Sequence, residues 1–130
     1  MSARRAIAGL AIAGIIGACL AGPPRASAHA IILESSPRHQ ESLPSPTRLV
    51  LRFNSRLEKG LCSTQLVGPQ RRAIALPPQE PDTPPDTLAY PLPSLPPGVY
   101  QARWKVMAAD GHVTEGVVVF TVTAPPAGTR

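Results

Sequence analysis

Cysteine, methionine, aromatic residues and blocks of charge are all scarce in this 130-residue chain. Its two cysteines, Cys19 and Cys62, fall on opposite sides of an expected cleavage point, so no internal disulfide can staple the processed product. One Trp, two Tyr and two Phe are too few, and the basic residues too scattered, for a nucleic-acid footprint. Methionine occurs twice, and only Met107 lies beyond the N-terminal region. No apolar run reaches the roughly 20 residues that a membrane-spanning helix needs. Helical periodicity is also missing after the first quarter of the chain.

What is present begins with a leader. Arg4 and Arg5 precede an uncharged run from Ala6 to Ala21, followed by Gly22-Pro23-Pro24 and the small-x-small pattern Ala26-Ser27-Ala28. That is the layout of a secretory signal peptide. Cleavage after Ala28 divides the chain into a leader (1–28), a domain (29–124) and a short tail (125–130), and predicts an exported product. Arg4, Arg5 and Arg25 leave with the leader, so the formal +5 falls to +2, with ten basic and eight acidic side chains remaining. A competing cut lies at Ile16-Gly17-Ala18-Cys19, a loose lipoprotein pattern. It would anchor the protein through Cys19 and leave His29 internal, so the two starts make different proteins.

Alternating apolar and polar residues mark seven short strands in the remainder. The clearest are Thr47–Phe53 and Val99–Val106, where Tyr100, Ala102, Trp104 and Val106 alternate with Gln101, Arg103 and Lys105. Val117–Val122 is apolar on both faces except at Thr121, which predicts a central strand covered on both sides. Ala30–Glu34, Ser63–Val67, Ala73–Leu76 and Thr87–Tyr90 are weaker. Nine of the seventeen prolines fall between Pro77 and Pro97, which reads as a stiff loop around one edge strand. Seven strands in about 100 residues predict an all-β, immunoglobulin-like antiparallel sandwich. Tyr100, following Pro97-Gly98 at the start of the sixth strand, suits the corner tyrosine of such folds. Trp104 and Met107 are expected to pack, and Cys62 to behave as a small hydrophobe.

Between the sixth and seventh strands lies Asp110-Gly111-His112. In extended backbone residues two apart leave on the same side, which would present a carboxylate and an imidazole together. Asp-Gly is also an ordinary turn, and by itself this is half a metal site. Topology supplies the rest. With seven alternating strands, the first starts and the sixth ends at the same pole, so a processed N-terminus at His29 can meet the loop. With six strands the two would lie at opposite poles. Joined, they offer an α-amine, the His29 imidazole, the Asp110 carboxylate and the His112 imidazole. Three nitrogens and one oxygen favour Cu(II), with Zn(II) second. The amine, of pKa about 7.7–8.0 when unperturbed, must first lose its proton, so binding should weaken as pH falls.

The stretches HAIILESSP, LVLRFNSRLE and LPPGVYQARWKVMAADGHVTEGVVVFTV resemble, in order, the CopC family of bacterial periplasmic copper-binding proteins. The resemblance implies a Greek-key β-sandwich and one Cu(II) ion held by His29, Asp110 and His112. It implies a role in copper carriage, buffering or resistance, often beside an inner-membrane copper transport protein. A monomeric, non-enzymatic binding protein is expected. Two features depart from the family. A single Met107 argues against a methionine-rich Cu(I) site, and Pro37-Arg38-His39-Gln40-Glu41 lacks the glycine of a Pro-x-x-Gly turn. His39 there reads as a solvated residue, or as an auxiliary ligand. The alternatives are an anchored or free immunoglobulin-like interaction module without metal, and a copper oxygenase, which would also use an N-terminal histidine.

Overall fold

The computed structural model describes residues 30–125; His29, the residues before it and 126–130 lie outside them. Eight strands form two packed sheets: β1 (Ile32–Ser36), β2 (Glu41–Leu43), β3 (Arg48–Phe53), β4 (Ser63–Val67), β5 (Ala73–Ile74), β6 (Thr87–Pro91), β7 (Gly98–Met107) and β8 (Val113–Val122). The smaller sheet runs β1-β3-β6 and the larger β2-β8-β7-β4-β5. Among the described residues only a single-turn 3-10 helix, Lys59–Leu61, and a tight turn at Pro69–Arg71 interrupt the β-structure.

The alternation seen in the sequence sets the faces. Leu49, Leu51 and Phe53 of β3 and Tyr100, Ala102, Trp104 and Val106 of β7 are buried, and they meet between the sheets. Phe53 stands edge-on to Trp104, ring centroids 5.1 Å apart at 75°. Tyr100 stacks on Phe120 at 5.6 Å. The Tyr100 hydroxyl donates to the Pro96 carbonyl at 2.5 Å, the back-bond expected of a corner tyrosine. β6 is an edge strand and ends on Pro91, yet Thr87–Tyr90 are buried. The proline-rich segment lies along it, with Glu80 N–H donating to the Ala89 carbonyl at 2.8 Å.

Two expectations need correction. β8 is central in its sheet, but Val117 is 45% exposed, so only its inner face is covered. The strand count is eight, because β2 has no alternation by which to read it. Its pairing partner is β8, and the two run parallel, unlike every other pair. This extra strand leaves the alternation of direction intact. β3 and β7 finish at one pole, where Glu58 N–H bonds the Met107 carbonyl at 2.9 Å. Since β1 opposes β3, β7 opposes β8 and β8 matches β2, strands β1 and β2 share one sense. β2 is therefore β1 continued on the other sheet after the turn at Pro37–Gln40. The remaining strands alternate as seven would.

His39 lies in that turn and does more than face water. Its Nδ1 accepts the Val119 N–H at 3.1 Å, while Gln40 N–H donates to the Val119 carbonyl at 2.6 Å. These bonds extend the β2–β8 ladder by one step.

Candidate metal centre

β7 and β8 pair without interruption from Gly98↔Val122 to Met107↔Val113, so the ladder is continuous up to the hairpin tip. Within the tip Ala108 N–H donates to the His112 carbonyl (2.9 Å) and Gly111 N–H to the Ala108 carbonyl (2.8 Å). Gly111 has φ +89°, in the left-handed region that favours glycine. Asp110 and His112 do meet, though not through extended alternation. The tip is a turn in which the carboxylate folds back: Oδ1 accepts the His112 N–H at 3.0 Å, and Oδ2 stands 3.1 Å from His112 Nδ1. Both side chains reach solvent, His112 at 57% and Asp110 at 39% exposure.

The backbone N–H of His112 holds the Asp110 carboxyl below its ordinary range, with desolvation opposing and the imidazole assisting. The sign follows from linkage. A carboxyl depressed in the folded state contributes stability above its unfolded pKa, about 3.9, and loses it as pH falls through the depressed value. The loop's internal bonds are therefore intact at neutral pH, with the carboxylate charged and able to face a cation.

The first described residues lie at the same pole. Ala30 is 1% exposed. Ile31 N–H donates to Asn54 Oδ1 at 2.8 Å, and Asn54 N–H to the Ile31 carbonyl at 3.0 Å. Two residues later the Arg56 carbonyl accepts the Ala109 N–H at 2.9 Å, and Leu57 bridges to Ala108. One short segment, Asn54–Leu57, thus ties the residues next to His29 to the residues next to Asp110. His29 itself lies outside the described residues. Asn54 lies within the LVLRFNSRLE stretch, where no local pattern sets it apart from its neighbours.

Among the described residues no group of three His, Cys, Asp or Glu side chains could hold a metal ion. His39 does not join the pair. Its partner Val119 is seven strand residues from His112, on the order of 20 Å at about 3.3 Å each. Cys62 packs against the core, its Sγ 3.3 Å from the Glu58 carbonyl, and burial pushes its thiol pKa up. A protonated, half-buried thiol is a poor ligand. No helix among the described residues is long and apolar enough to cross a membrane.

Comparison with known proteins gives this geometry a context. The CopC domain family matches residues 32–123. Protein YobA of Escherichia coli K12 is 31% identical over 102 residues, 76% of this chain and 82% of that one. Copper transport protein CutJ of Bacillus subtilis is 29% identical over 103 residues, which cover 77% of this chain and 19% of that longer one. The crystal structure of CopC from Methylosinus trichosporium OB3b aligns with a TM-score of 0.65 at 27% identity, covering 72% of this chain and 93% of that one. PcoC, a methionine-rich copper resistance protein from Escherichia coli, shares the fold with a TM-score of 0.65 at 24% identity, covering 74% of this chain and 100% of that one. By the family match, which spans most of its length, this chain belongs to the CopC domain family.

Proposed function

We propose that the processed chain is a periplasmic copper carrier or buffer that binds one Cu(II) ion through His29, Asp110 and His112. The ion is cargo, and the protein performs no chemistry on it. The α-amine and imidazole of a terminal His29 would close a chelate ring, and the hairpin would add a carboxylate and a second imidazole. One observation carries this reading: the first described residues and the hairpin tip are bonded to the same segment, Asn54–Leu57. The donor spacing is compatible with it. Two donors each roughly 2.0 Å from one ion and set at a right angle lie about 2.8 Å apart. His112 Nδ1 and Asp110 Oδ2 stand 3.1 Å apart. The name of CutJ, a copper transport protein, agrees with a cargo role, and the acceptor we propose is an inner-membrane transport protein.

The test is calorimetric titration of Cu(II) into the His29-terminated protein and its variants. His112→Ala and Asp110→Ala should each weaken binding by at least about tenfold. Each should also keep the two-sheet fold by circular dichroism, since both side chains are exposed. Unchanged affinity in both variants would contradict the site. A chain that takes up no copper would favour a metal-free interaction module, and peroxide-driven oxidation of polysaccharide by the copper form would favour an oxygenase.

A further inference from the structure

β1 and β3 pair antiparallel up to Ile32↔Phe53, which sets Ile31 opposite Asn54. In a regular ladder that pair would exchange two main-chain bonds. Only one is main chain here: Asn54 N–H donates to the Ile31 carbonyl at 3.0 Å. The return bond runs from Ile31 N–H to the side-chain Oδ1 of Asn54 at 2.8 Å. The side chain thus stands in for a carbonyl and closes the last rung. With its own carbonyl released from that duty, the Asn54 backbone turns away, and the Arg56 carbonyl then takes the Ala109 N–H at 2.9 Å.

We infer that Asn54 is a positioning residue for the copper site: its side chain pins Ile31 at the pole that carries the Asp110–His112 hairpin before metal arrives. This rests on the proposed ligand set. Ile31 is two residues from His29, and Ala30 between them is buried, so the described residues that lead to His29 are held in the sandwich. Without the clamp, ordering this stretch would have to accompany metal binding and would oppose it. Asparagine suits the place because its amide oxygen accepts as a peptide carbonyl does. Neither apolar residues nor lysine would supply that acceptor.

The experiment uses the His29-terminated protein and the same protein with one Met ahead of His29, with Cu(II) itself as the probe. Asn54→Ala should weaken Cu(II) binding about threefold to tenfold in the native-terminus form, the worth of one hydrogen bond. It should also change the Cu(II) paramagnetic resonance spectrum and speed Ile31 amide exchange. Asn54→Asp keeps the acceptor and should retain slow Ile31 exchange. In the Met-extended form, which keeps the His29 imidazole but loses its free amine, Asn54→Ala should cost distinctly less, because part of the effect runs through that amine. Should Asn54→Ala not fold, Asn54→Ser, with a shorter reach to Ile31, takes its place in every comparison. Equal affinities for wild type and Asn54→Ala with the native terminus would overturn the clamp, and so would equal losses in both forms. An ineffective His112→Ala would instead overturn the ligand set, and Ile31 exchange would still report whether Asn54 clamps.

Discussion

Gly116→Ala is the substitution whose cost the structure defines most sharply. Gly116 lies opposite Trp104 in the β7–β8 ladder, on the inward face. A Cβ built there would come 2.2 Å from Cζ2, 2.6 Å from Cε2 and 2.9 Å from Cη2 of the indole. Real Cβ contacts essentially never fall below 3.0 Å, and three atoms of a rigid ring cannot yield separately. The whole indole must shift, and it is held edge-on by Phe53. Overpacking of this kind costs about 1–3 kcal/mol, and the lost aromatic pair about 0.5–1.5 kcal/mol more. The expected destabilisation is therefore roughly 2–4 kcal/mol, a fall in Tm of about 10–25 °C for a domain near 100 residues. Thermal unfolding followed by circular dichroism and Trp fluorescence measures it. Gly116→Ala in a Trp104→Phe background should cost much less than in the wild type, because the smaller ring clears the new methyl. A Gly116→Ala melting point within about 2 °C of wild type would refute the steric argument, and so would strict additivity of the two changes.

Two further substitutions separate stability from metal binding. His39→Ala removes the acceptor of the Val119 N–H and should cost about 0.5–1.5 kcal/mol in denaturant unfolding. Because it is far from the hairpin, Cu(II) affinity should stay unchanged, and a marked loss would make His39 a ligand after all. In the β4–β5 turn Gln70 and Arg71 both have positive φ, 60° and 58°, the conformation for which Asn-Gly is suited. Replacing the pair with Asn-Gly should stabilise the protein by about 1–2 kcal/mol, and an unchanged or lower Tm would show that the turn carries no such strain.

The fold was legible where burial alone decides the pattern. β3, β4, β6 and β7 lie close to the segments whose alternation marks them, and Tyr100 takes its corner position because a Pro-Gly turn precedes an alternating strand. What escaped was set by pairing rather than composition. β2 is three residues with neither alternation nor β-branched enrichment, and it exists because Gln40 and His39 bond Val119 across from it. β8 looked covered on both faces because valine fills it, whereas Val113 and Val117 are exposed. In the candidate site, Asp110 and His112 could be paired from spacing, although the geometry that joins them is an Asx-like turn rather than a strand. Asn54 stood within a stretch of resemblance but could not be singled out, since its value lies in a long-range bond to Ile31 that no local pattern encodes.

The central claim is that processing creates a ligand, and one comparison tests it. Cu(II) is titrated into the protein beginning at His29 and into the same protein carrying one additional Met before it, at the same pH and ionic strength. The account predicts one ion per chain in the first case, bound at least about tenfold more tightly than in the second. Equal affinity in the two forms would contradict it.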